Sequence, residues 1–67
     1  MEITVNSQPR TIQSQASLLQ LLEAINSASQ KGIAVAVNET VIPKTEWENF
    51  QLSNNDKVLI IKATQGG

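Results

Sequence analysis

Cysteine and histidine are both missing from this 67-residue chain. Without cysteine there is no disulfide framework and no thiol nucleophile; without either residue the usual zinc and haem ligands and an imidazole base are gone. No apolar run approaches the roughly 20 residues that a membrane-spanning helix needs. Met1-Glu2-Ile3-Thr4-Val5 lacks the basic start and apolar core of a signal peptide, so the expectation is a cytoplasmic protein with no membrane partner. Aromatic residues are scarce, Trp47 and Phe50 being the whole set. A single-stranded nucleic-acid module stacks bases on exposed aromatics. The five basic residues, Arg10, Lys31, Lys44, Lys57 and Lys62, are scattered among six acidic ones for a net charge of -1. No nucleic-acid partner is expected from that distribution.

A set of reactive side chains is missing too. An enzyme needs an acid, a base, a nucleophile or a metal site. The carboxylates are Glu2, Glu23, Glu39, Glu46, Glu48 and Asp56. No two of them form a diagnostic pair, and they read as solvated groups near turns and helix surfaces. No glycine-rich phosphate loop is present, so the chain is not expected to bind ATP by itself, and no resident cofactor or metal is expected. Size reinforces this. At about 25 cal/mol per Å² the burial gain of a small chain nearly cancels an ordering cost of about 1.5 kcal/mol per residue. The long apolar side chains are needed for the core, which leaves little room for a catalytic cavity and favours action at a surface or an end.

What is present reads in order. Glu2 to Val5 alternates as a strand with Ile3 and Val5 on one face. Asn6-Ser7-Gln8-Pro9 is a turn signal, and Arg10 to Gln13 is the expected return strand, with Ile12 facing inward. Ser17 and Gln20 fit a capping box. Leu18, Leu21, Leu22, Ile25 and Ala28 form an apolar stripe at helical spacing, with Leu19 at its margin. Lys31 and Gly32 suit the end of that helix. Ile33-Ala34-Val35-Ala36-Val37 suits an interior strand. Asn38-Glu39-Thr40 turns the chain into a short strand at Val41-Ile42, limited by Pro43. Lys44 to Phe50 has room for one helical or 3₁₀ turn, with Trp47 and Phe50 on one face. Ser53-Asn54-Asn55-Asp56 is a dense turn signal, and Lys57 to Ala63 is the final strand.

Strand, strand, helix, strand, short strand, strand predicts an α+β fold, a mixed sheet packed against one principal helix. The crossover rule favours a helix that returns the chain to a parallel strand in the same sheet. That arrangement is a β-grasp; a ferredoxin-like fold would need a second substantial helix. Residues 1–63 are expected to form the domain and residues 64–67 a flexible C-terminal tail.

The final strand is apolar on both faces. Val58 and Ile60 point one way, Leu59 and Ile61 the other. One helix covers one side of a sheet. Either Trp47, Phe50 and their connection cover the second side, or one pair stays exposed as a docking patch. Leu59 and Ile61 are the expected exposed pair. Beyond them Thr64-Gln65-Gly66-Gly67 extends at about 3.3 Å per residue, enough to carry the terminal carboxylate on the order of 13 Å from the sheet. Glycine has no Cβ, so enclosing walls can approach closely. Such a tail suits insertion into another protein's active site, with its carboxylate as the reacting group.

Ala36-Val37-Asn38, Val41-Ile42-Pro43-Lys44, Trp47, Asn55-Asp56 and Gly66-Gly67, with Leu21-Leu22 in the helix, resemble the ThiS family, the sulfur carriers of thiamin thiazole synthesis, over nearly the whole chain. The family is a group of ubiquitin-like β-grasp carriers. Two positions depart from it. Asn55 stands where the family often has glycine, a change a left-handed turn position tolerates. Thr64-Gln65 stands where more apolar residues are common.

The resemblance implies that a ThiF-type, E1-like adenylyltransferase uses ATP to convert the Gly67 carboxylate to an acyl-adenylate. Sulfur from a cysteine desulfurase or related donor then makes a thiocarboxylate, and thiazole synthase receives the sulfur. Gly66, Gln65 and Thr64 would give access, and Leu59 and Ile61 a docking surface. The chain would be a carrier and co-substrate rather than an enzyme, monomeric when free. A MoaD-type carrier for molybdopterin synthesis, a tRNA-thiolation carrier and a non-catalytic β-grasp interaction domain are the alternatives.

Overall fold

The computed structural model of the chain describes residues 1–25 and 32–62. Strands β1 (Glu2–Val5) and β2 (Gln8–Thr11) form an antiparallel hairpin with Ile3 opposite Arg10 and Val5 opposite Gln8. Its turn is Asn6-Ser7 alone, with φ of 51° and 71°. Two successive left-handed residues match the twist of the strands they join. The return strand therefore starts at Gln8 rather than Arg10 and ends at Thr11 rather than Gln13. Pro9 lies within it, opposite Thr4. Met1 and Ile12 exchange hydrogen bonds, and bonded pairs alternate along an antiparallel ladder. Pro9 thus occupies a non-bonded position of an edge strand, where its missing donor costs nothing. Ile12 follows the strand and is half-buried against the core.

Helix α1 (Leu18–Ala24) opens on the expected capping box. The Gln20 N–H donates to Ser17 Oγ at 3.1 Å, and the Ser17 N–H donates to Gln20 Oε1 at 2.8 Å. Leu18, Leu21 and Leu22 are buried, while Leu19 and Ile25 are half-buried. The helix ends at Ala24, with Ile25 as its cap. Its expected continuation toward Lys31, including Ala28, lies outside the described residues. Gly32 has φ 77°, the left-handed geometry expected of it.

Strands β3 (Ile33–Val37), β4 (Thr40–Val41) and β5 (Lys57–Lys62) complete one five-stranded sheet in the order β2-β1-β5-β3-β4. The β1–β5 pair is parallel and the other neighbours are antiparallel. It follows that β3 runs parallel to β2, across two intervening strands, as the crossover expectation required. This is a β-grasp. The short strand is Thr40–Val41 rather than Val41–Ile42. Ile42 has turned inward, buried, with its N–H on Val35 O at 2.8 Å.

The core between helix and sheet joins Ile3, Leu18, Leu21, Leu22, Val35, Val37, Ile42, Trp47, Leu52 and Val58. A 3₁₀ turn (Lys44–Glu46) delivers Trp47 into it, and Trp47 Nε1 donates to Ile42 O at 2.9 Å. Backbone bonds from Leu18 to Phe50, Leu19 to Trp47 and Leu52 to Ala16, of 2.8, 3.0 and 2.9 Å, tie this segment to the start of α1. Trp47 and Phe50 therefore stay on the helix side and do not cover the second face of the sheet.

Candidate functional site

Gly67, Gly66, Gln65 and Thr64 lie outside the described residues, as does Ala63. The structure describes the strand from which they leave and the surface beside it. Two turns anchor the start of β5. In the first, Asn55 has φ 71°, and its N–H donates to Glu2 O at 2.6 Å. Asp56 Oδ2 accepts from the Ser53 N–H at 2.7 Å, and Asn54 Oδ1 accepts from the Glu2 N–H at 2.8 Å. The second turn is Asn38-Glu39, with φ of 52° and 72°. The Asn38 side chain bridges the two turns. Its Oδ1 accepts from the Lys57 N–H and its Nδ2 donates to Asp56 Oδ1, both at 2.9 Å. The Asn38 N–H reaches Lys57 O at 2.8 Å. Asn38, Asn55 and Asp56, all part of the motif pattern, thus build the platform on which the last strand starts.

Along β5 the side chains alternate. Val58 is fully buried and Ile60 half-buried, while Leu59 and Ile61 are 45% and 52% exposed on the other face. Register extends this pair sideways. Ala36 sits between Leu59 on one neighbour and Val41 on the other, and Ala34 lies opposite Ile61. Val41 is 67% exposed. Val41, Leu59, Ala34 and Ile61 thus form an apolar surface around the buried Ala36 that no described element covers. Lys57 and Thr4, on the same face, are paired at its border. Large apolar side chains gathered on one face mark an interaction surface.

Val41 was not among the candidate residues from sequence. The signal was there: two adjacent apolar residues in a strand point to opposite faces, so Val41 and Ile42 cannot both be core.

The described residues offer no reactive set of their own. No group of three or more His, Cys, Asp or Glu is placed to hold a metal among them. A groove of about 290 Å³ between β2 and α1 has, among the described residues, Arg10 as its one charged lining residue, beside Ile12, Ala16, Gln20 and Leu21. It brings together neither an acid–base pair nor a nucleophile. No described helix is long and apolar enough to cross a membrane. The arrangement can present a docking face beside the strand that leads into residues 63–67.

Comparison with known proteins agrees with this architecture. The ThiS family matches residues 3–67. The sulfur carrier protein ThiS of Escherichia coli (strain K12) is 27% identical over 67 residues, with both chains covered in full. A crystal structure of a thiamine biosynthesis protein (ThiS) from Geobacter metallireducens is similar with a TM-score of 0.86 at 25% identity, again over all of both chains. An NMR structure of a thiamine biosynthesis protein from the same organism gives a TM-score of 0.78 at 25% identity, covering 100% of this chain and 88% of that one.

Proposed function

Because the chain belongs to the ThiS family, we propose that its Gly67 carboxylate is the group on which it carries sulfur for thiamin thiazole formation. The chain is a sulfur carrier of thiamin biosynthesis and not an enzyme, and ThiF-type proteins are its class of activating partner. The observation that carries the finer reading is the extent of the family match. It runs through Gly66-Gly67 to residue 67, beyond the strand whose open face stands ready for a partner.

The chemistry follows from the carboxylate. Hydroxide is a poor leaving group, so the acid must first be activated. A Gly67 carboxylate oxygen attacks the α-phosphorus of ATP in the ThiF-type enzyme, pyrophosphate leaves, and an acyl-adenylate forms. The terminal sulfur of a persulfide, supplied by a cysteine desulfurase or related donor, attacks the acyl carbon and expels AMP. A second thiol cleaves the resulting acyl disulfide, becoming oxidised to a disulfide and leaving the thiocarboxylate. Thiazole synthase takes the sulfur and the carboxylate returns. The steps belong in the cytoplasm, where ATP is at hand. The Val41, Leu59 and Ile61 face provides docking, and Thr64 to Gly66 provide a narrow approach.

Removing Gly67, or adding one residue after it, tests this directly. Both variants should fold as the parent does and neither should accept sulfur. A shortened or extended variant that still becomes a thiocarboxylate at its new terminal residue would refute the reading. Loss of folding in either would show that the tail is not a separate functional element.

A further inference from the structure

The hairpin turn residue Asn6 does something its place in a turn does not require. At a parallel strand pair, one residue donates its N–H to the carbonyl before its opposite number and accepts, through its own carbonyl, from the N–H after it. Thr4 makes the first of these contacts opposite Lys57, donating to Asp56 O at 3.0 Å. Two residues on, the position opposite Leu59 falls to Asn6. Its N–H donates to Val58 O at 2.9 Å, as a strand residue would. Its backbone has already turned left-handed, with φ 51°, and has left the ladder. The second contact is made by the side chain: Asn6 Oδ1 accepts from the Ile60 N–H at 2.8 Å.

Asn6 thus combines two properties. It tolerates a left-handed backbone, and its amide oxygen stands where a strand carbonyl would stand. Glycine meets only the first condition. Aspartate meets both. Beyond Ile60 no described strand runs on this edge of β5. The other edge stays paired to β3 as far as Lys62, opposite Ile33. Among the described residues the Asn6–Ile60 bond is therefore the last tie on the β1 side of β5. Seven residues follow Ile60, a reach of about 23 Å when extended.

We propose that Asn6 is a positioning residue for the reactive tail. By holding Ile60 it fixes the root of the tail and the Leu59 and Ile61 side chains on either side of that residue. This rests on the carrier reading above.

The test compares Asn6→Gly, which keeps the turn and removes the acceptor, with Asn6→Asp, which keeps both. Amide hydrogen exchange on the free chain gives the first readout. In Asn6→Gly the Ile60 amide should exchange about tenfold faster, while the Val58 and Leu59 amides, held by β1 and β3, change little. Asn6→Asp should restore parental protection. ATP–pyrophosphate exchange by a ThiF-type enzyme gives the second. Asn6→Gly should raise KM for the carrier about fivefold at unchanged kcat, and Asn6→Asp should stay within about twofold of the parent.

Equal acceleration of all amides in Asn6→Gly would reduce Asn6 to a stability residue and overturn the proposal. So would an unchanged KM, or an Asn6→Asp variant as impaired as Asn6→Gly. If the parent chain itself is never adenylated, the carrier reading fails instead, and the hold on the tail root is still decided by the Ile60 amide.

Discussion

The open sheet face makes a quantitative prediction that separates recognition from folding. Fully burying a leucine or isoleucine side chain contributes about 2 kcal/mol. Leu59 and Ile61 are 45% and 52% exposed in the free chain, so about half of that, roughly 1 kcal/mol each, remains available to a partner. The double variant Leu59→Thr, Ile61→Thr puts strand-favouring β-branched residues at both positions and removes most of the apolar surface. Binding to the activating enzyme should weaken by about 2 kcal/mol, or about thirtyfold. The other half of each side chain is already buried on folding, and the carbon that threonine keeps retains part of it, so folding should weaken by about 1 kcal/mol, less than binding does. The assay is steady-state adenylation at varied carrier concentration, alongside urea unfolding of the same samples. KM should rise and kcat stay constant, since the altered residues are far along the chain from the acyl group. A KM within about threefold of the parent would refute the docking argument. A variant that loses stability in step with binding would show that the face is part of the core.

The other predictions concern the body of the fold. Trp47→Phe removes the donor to Ile42 O and leaves a buried carbonyl without a partner; the expected loss is about 2 kcal/mol, seen as a Tm about 10 °C lower by circular dichroism. Ser17→Ala removes the side-chain half of the capping box from a seven-residue helix and should cost about 1 kcal/mol in urea denaturation. Asn55, at φ 71°, should accept glycine with little change, whereas Asn55→Ala should lose about 1 kcal/mol; equal stability of the two variants would contradict a left-handed requirement there.

Much of this fold is readable because its signals are local. The capping box is set by residues three apart, and β3 by a short apolar run after Gly32. The alternation along β5 allowed Leu59 and Ile61 to be placed opposite Val58. Less legible was the boundary between turn and strand. Asn6-Ser7-Gln8-Pro9 reads as one turn because proline is a turn former, yet two left-handed residues suffice and Pro9 fits a non-bonded edge position. The contacts that place β5 are long-range and therefore hidden. Asn38 bonds to Asp56 and Lys57, 18 and 19 residues away, and Asn6 to Ile60, 54 residues away. A sequence shows that these asparagines tolerate turns; it does not show what their side-chain oxygens face. The place of Val41 in the docking face is hidden for a related reason, since its row with Ala36 and Leu59 exists only once the strands are in register.

The central claim is that sulfur resides on the last carbonyl carbon of the chain. The direct measurement is intact and fragment mass after incubation with a ThiF-type enzyme, ATP and a persulfide sulfur donor. The intact mass should rise by the difference between sulfur and oxygen, and fragmentation should confine that increase to Gly67. An unchanged mass, under conditions that convert an authentic carrier, would contradict the claim, as would sulfur located anywhere else in the chain.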